Sequence, residues 1–176
     1  PRHLIILLVG ALLSAIIFGN AKAHAMEHIE EQIPNAQKVG EGRLRYLFWD
    51  IYDAELFAPQ GKLQDGKPLA LHLSYLRNIT GKKIADRSLD EMRDLGIYDE
   101  ATLASWHAQM LDIFPDVEKG KTLTGVYTAK GETVFYANGL EIGRISDPQF
   151  SAAFFDIWLN ENTSSPDLRR KLLGAL

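Results

Sequence analysis

Tyr75 and Arg77 are the side chains whose types and spacing best suit chemistry. An extended reading of residues 69–79 lines them up by period 2 with Leu69, Leu71, Leu73 and Ile79. That places a phenol and a guanidinium on an otherwise apolar face. A buried guanidinium needs an anionic partner. Either its stem lies on the core while the head reaches water or a structural acid, or it is the cation of a pocket. In the second case it would hold a carboxylate or an enolate or phenolate oxygen, with Tyr75 as hydrogen-bond partner. Arg43 and Arg45 face one way at the end of an earlier strand, as an exposed strand end or as further ligand contacts. Tyr136 and Asn138 share a face of a later strand, where Asn138 also fits turn chemistry.

Other chemistries lack their residues. Cys is absent, which removes disulfides, thiolate ligands and thiol nucleophiles. His28, His72 and His107 stand singly, with no HExxH and no paired-His spacing, so no metal is expected. There is no GxSxG elbow and no Walker A, and Gly40-Glu41-Gly42 is too short for a dinucleotide fingerprint. No cofactor is expected. A net charge of −4 gives no surplus of bases for a phosphate backbone, so nucleic acid is not an expected partner.

The elements that must position these groups follow an N-terminal segment of different material. Leu4 to Phe18 is an apolar run preceded by Arg2 and His3, and Ala21-Lys22-Ala23-His24-Ala25 offers two overlapping A-x-A sites. This reads as a signal peptide over residues 1–25, cleaved after Ala23 or Ala25, with an uncleaved anchor as the alternative. Residues 26–176 then form one domain, exported to a periplasm-type compartment. Membrane contact is expected only through the export signal, and the oligomeric state is left open.

Along that domain, Ile33 to Phe57 reads as strand. A turn or bulge is expected at Gly40–Gly42 and a bend or break near Asp50–Asp53. Its middle is apolar on both sides, which predicts a central strand covered on both faces. Leu69–Ile79 is the next strand. A capping box, Ser88-Leu89-Asp90-Glu91, predicts a helix ending at Gly96, and a second helix runs from Glu100 to Phe114 before Pro115. Strands over 122–128, 133–138 and 140–145 are joined by Lys130-Gly131 and Asn138-Gly139. Asp147-Pro148 and Ser165-Pro166 open two last helices. Trp49, Trp106 and Trp158 read as core. Hairpin-joined strands with separate helices predict an α+β fold: an antiparallel sheet covered on one face by a helical layer.

Residues 40–45 (GEGRLR), 48–54 (FWDIYDA) and 73–79 (LSYLRNI) resemble the bacterial chalcone isomerase-like family. So do Phe114-Pro115-Asp116-Val117, Gly120, Phe135-Tyr136-Ala137-Asn138-Gly139, Gly143, Phe150, 155–159 (FDIWL) and the stretch from Leu168-Arg169 to Gly174. The resemblance spans Val39 to Gly174. It implies the chalcone isomerase-like open-faced β-sandwich, with a cleft between sheet and helices. It also implies two possible activities. Plant chalcone isomerases use an early-strand Arg with Thr, Tyr and Asn partners on a phenolate, whereas plastid relatives bind fatty acids through an Arg–Tyr pair. Aligned on Tyr52, the early Arg position falls on Leu44, between Arg43 and Arg45, and the Thr position falls in Leu47-Phe48-Trp49, which has no hydroxyl. The expectation is therefore a non-catalytic binder of a small apolar ligand with an anionic head, such as a fatty acid. Its site would comprise Arg77, Tyr75, Arg43, Arg45, Tyr136 and Asn138. An isomerase (intramolecular lyase) acting on a phenolic enone, and a structural partner in an envelope complex, are the alternatives.

Overall fold

The computed structural model describes residues 26–64, 68–96 and 98–175. The expected signal peptide lies outside them. Six strands form one antiparallel sheet in the order β1-β2-β3-β4-β5-β6: Ala36–Tyr46, Trp49–Pro59, Leu69–Tyr75, Thr122–Tyr127, Thr133–Ala137 and Leu140–Ile145. A helix over residues 26–32 (α1) precedes β1. Gly81–Leu95 (α2) and Glu100–Ile113 (α3) lie between β3 and β4, and Pro148–Leu159 (α4) and Pro166–Leu172 (α5) follow β6. The fold is α+β, as expected.

Period 2 divides the sheet's side chains into two cores. Leu56, Leu71, Leu73, Leu123 and Phe135 face the main helical layer and pack with Met92, Trp106, Phe150 and Phe154. Phe57, Ala70, Val126, Val134 and Tyr136 point the other way and pack against Ile29 and Ile33 at α1. The second face of the sheet is thus partly covered as well.

The expected single strand over 33–57 is two strands. They turn back at Leu47-Phe48, so that Tyr46 pairs with Trp49. The reversal falls short of Asp50–Asp53 and uses none of the usual turn residues. β1 is an edge strand rather than a central one, and Trp49 is exposed rather than core. The expected irregularity at Gly40 is present, as a register shift between Lys38 and Gly40. A Cβ at Gly40 would collide with the carbonyls of Lys171 and Leu172, so glycine there lets α5 lie directly on the strand.

α2 begins seven residues before the expected capping box. Thr80 is its N-cap, accepting from the Lys83 N–H, and Asp116 accepts from the Gly81 N–H. Ser88 is interior and donates to the Ile84 carbonyl at 2.9 Å. α4 starts where Asp147-Pro148 predicts. Asp147 accepts from the Gln149 N–H and from the indole N–H of Trp106 at 2.9 Å, which ties α3 to the cap.

Candidate binding cavity

Sheet and helices enclose a cavity of about 170 Å³. Leu71 and Leu73 on β3, Leu123 and Gly125 on β4, Phe135, and Phe154 and Ile157 on α4 make its wall apolar. An earlier start for α2 brings Lys83, Ile84, Arg87, Ser88 and Glu91 to the same cavity, spaced three and four residues apart along one helix face.

Polar groups gather at a few points. Trp158 donates its indole N–H to the Tyr52 hydroxyl at 2.9 Å. The Tyr52 and Tyr75 rings meet edge-on at 5.6 Å. Burial pushes both phenols above their usual range, so both stay protonated and remain donors. Tyr75 is 3% exposed and lines the cavity, and its hydroxyl has no hydrogen-bond partner among the described residues. A hydroxyl that faces a cavity without a protein partner is free to bond a ligand or water. At the rim, exposed Arg87 pairs with buried Glu91, whose carboxylate also accepts from Ser164 at 2.7 Å. Lys83 is exposed beside them.

Of the expected site residues, the cavity takes only Tyr75. Arg77 is not on the apolar face. β3 ends at Tyr75, the chain bends, and the guanidinium lies 4.0 Å above the Trp49 ring, outside the cavity. Arg43 donates to Asp53 at 2.6 Å and to Asp50 at 3.0 Å, and Arg45 donates to Asp50 at 2.6 Å. These bonds hold Arg43 above its usual pKa and Asp50 below. Both arginines are on the exposed edge of the sheet, away from the cavity. Tyr136 belongs to the opposite face, where it accepts from Gln32 at 3.2 Å. Asn138 sits at φ 50 in the β5–β6 turn and accepts from the Thr122 N–H at 3.0 Å, which is turn chemistry.

Arg87, Lys83, Glu91, Tyr52 and Trp158 were not expected at the site. The α2 residues were legible only to a helix register starting at Gly81. Among the described residues there is no cluster of three or more metal-ligating side chains, and no helix is long and apolar enough to cross a membrane.

A six-stranded antiparallel meander roofed by helices over an apolar cavity defines an open-faced β-sandwich with a ligand-sized interior. The family model described as chalcone isomerase-like matches residues 18–174, and the chain belongs to that family. No curated protein sequence matches it. The crystal structure of a fatty-acid binding protein of Arabidopsis thaliana superposes with a TM-score of 0.61 at 12% identity, covering 80% of this chain and 87% of that one. At that identity the likeness concerns the fold.

Proposed function

We propose that this protein binds, without catalysis, a small amphipathic molecule with an apolar body and an anionic head, such as a fatty acid. The observation that carries the proposal is the cavity itself, with Tyr75, whose hydroxyl has no partner among the described residues, in its wall and Lys83 and Arg87 at its rim. The apolar body is taken up by the aliphatic and aromatic wall at ~25 cal/mol per Å² buried. The head takes charge-assisted hydrogen bonds from the rim cations. A volume of about 170 Å³ is close to the ~150 Å³ of an apolar cavity that takes benzene, so a ring or a short alkyl segment suits it better than a fully enclosed long tail. The likeness in fold to the fatty-acid binding protein of Arabidopsis thaliana supports the fatty-acid reading. The export-type segment supports the further proposal that a bacterial cell exports the protein to its periplasm.

Native mass spectrometry of protein purified from cells, followed by thermal shifts with fatty acids of graded length, tests the reading. A bound carboxylic acid, or a rise in Tm that Lys83→Gln/Arg87→Gln diminishes, supports it. A ligand-free species with no Tm response to any chain length overturns it. Chalcone turnover lost on Arg87→Gln would move the assignment to an isomerase.

A further inference from the structure

The β1–β2 turn presents Tyr46, Leu47, Phe48 and Trp49 in succession, exposed by 62%, 76%, 96% and 56%. A folded domain normally scatters its exposed large apolar groups singly. Here Tyr46 and Trp49 form the last rung of the ladder, and Leu47 and Phe48 are the two-residue loop beyond it. Leu47 has φ 53 at the first loop position, a conformation that favours Gly or Asn, yet the residue is a bulky aliphatic.

The surroundings are basic in a chain whose net charge is −4. The hollow beneath the loop is lined by Arg43, Arg45, Arg77, Lys119 and Asp50; Arg43 and Arg45 are paired with Asp50 and Asp53, which leaves Arg77 and Lys119 as its uncompensated cations. Arg77 stacks on Trp49, and neither Arg77 nor Lys119 has a carboxylate partner among the described residues. The feature is a protruding finger rather than a groove, so a fluid surface fits it better than a shaped one. Indole and phenol rings favour the level of lipid headgroups, aliphatic and phenyl groups the acyl boundary, and Lys and Arg the anionic phosphates.

We infer that the β1–β2 turn is an anchor for an anionic lipid surface, with Leu47 and Phe48 entering the acyl boundary and Arg77 and Lys119 meeting the headgroups. Leu44 and Ile51, a few residues inward on the same two strands, line the cavity, so anchoring sets the cavity wall beside the bilayer. The inference stands independently of which ligand the cavity takes.

Trp49 supplies the test, because Trp106 and Trp158 are buried and only Trp49 is exposed. The apolar run Leu4–Phe18 could bind vesicles by itself, so total binding is not the readout; Trp49 emission is. The protein is mixed with phosphatidylglycerol/phosphatidylcholine vesicles carrying brominated acyl chains. The expected result is a blue shift and quenching of Trp49 emission. Both should weaken in phosphatidylcholine alone and at high salt, and fall about tenfold or more in Leu47→Asp/Phe48→Asp. Trp49→Phe should remove the signal. Trp49 emission unchanged by anionic vesicles, or quenched equally in the double variant, overturns the inference. So does a self-associated species that the double variant converts to monomer while lipid has no effect, since the turn would then bind a second copy of the chain.

Discussion

The indole N–H of Trp158 donates to the hydroxyl of Tyr52 at 2.9 Å, joining the helical layer to the sheet within the cavity wall. Both residues are at most 8% exposed. Tyr52→Phe leaves the buried indole N–H with no protein partner, which costs about 1–3 kcal/mol. Trp158→Phe instead opens space and frees a second phenol. Urea unfolding of the single and double variants gives the coupling between them, and additive losses would show that the bond carries no energy of its own.

Gly125 offers a place to narrow the cavity. A Cβ there would sit 3.4 Å from the rings of Phe154 and Phe155, an ordinary contact. Gly125→Ala adds that Cβ and no more, and fills part of the wall. Ligand affinity is expected to fall about tenfold, roughly the worth of a lost or clashing methylene or two, while Tm holds or rises. Titration calorimetry beside thermal unfolding separates the two effects.

Acid should loosen α1. Burial, and then the neighbouring His72, hold His28 down at about pKa 4, and burial also lowers His72. The Thr124 hydroxyl contacts His28 Nε2 at 3.0 Å and His72 Nδ1 at 2.9 Å, the Tyr136 ring packs on His28, and Glu55 acts on His72 from β2. The unfolded chain takes up these protons below about pH 6.5, whereas the folded chain resists them. Stability is therefore fully present at neutral pH and is lost as pH falls from about 6.5 towards 4. His28→Asn should flatten that slope in urea midpoints measured across the range, and an unchanged slope would refute the assignment.

The turn at Leu47 should trade stability against surface binding. Asn accepts φ 53 more readily than Leu, so Leu47→Asn should stabilise the fold by about 0.5–1 kcal/mol in urea unfolding while weakening Trp49 quenching by anionic vesicles. A variant that loses stability would mean that Leu47 packs on something in solution.

Legibility followed local chemistry. The β4–β5–β6 meander and the start of α4 were readable because Lys130-Gly131, Asn138-Gly139 and Asp147-Pro148 state their backbone demands in the residues themselves. The first hairpin was not, because Leu47-Phe48 carries no turn signal and the apolar alternation runs straight through it. The period-2 reading put Tyr75 on the face it occupies but ran four residues too far, to Ile79, and so put Arg77 in a wall that it does not reach. The rim cations were hidden by a good capping box that loses to Thr80, whose helix has the support of Asp116 from across the fold. Period 2 and turn chemistry are local, whereas the end of β3 and the start of α2 are decided by tertiary contacts.

α5 rests against β1 so closely that Gly40 has no room for a methyl. A segment that follows all six strands in the chain therefore clasps the first of them, in a sheet whose strands otherwise pair in chain order. During vectorial synthesis the outer border of the nascent sheet stays bare until α5 has emerged. A chain stalled before Pro166 would carry an unguarded edge, the kind of surface that recruits chaperones or nucleates aggregation.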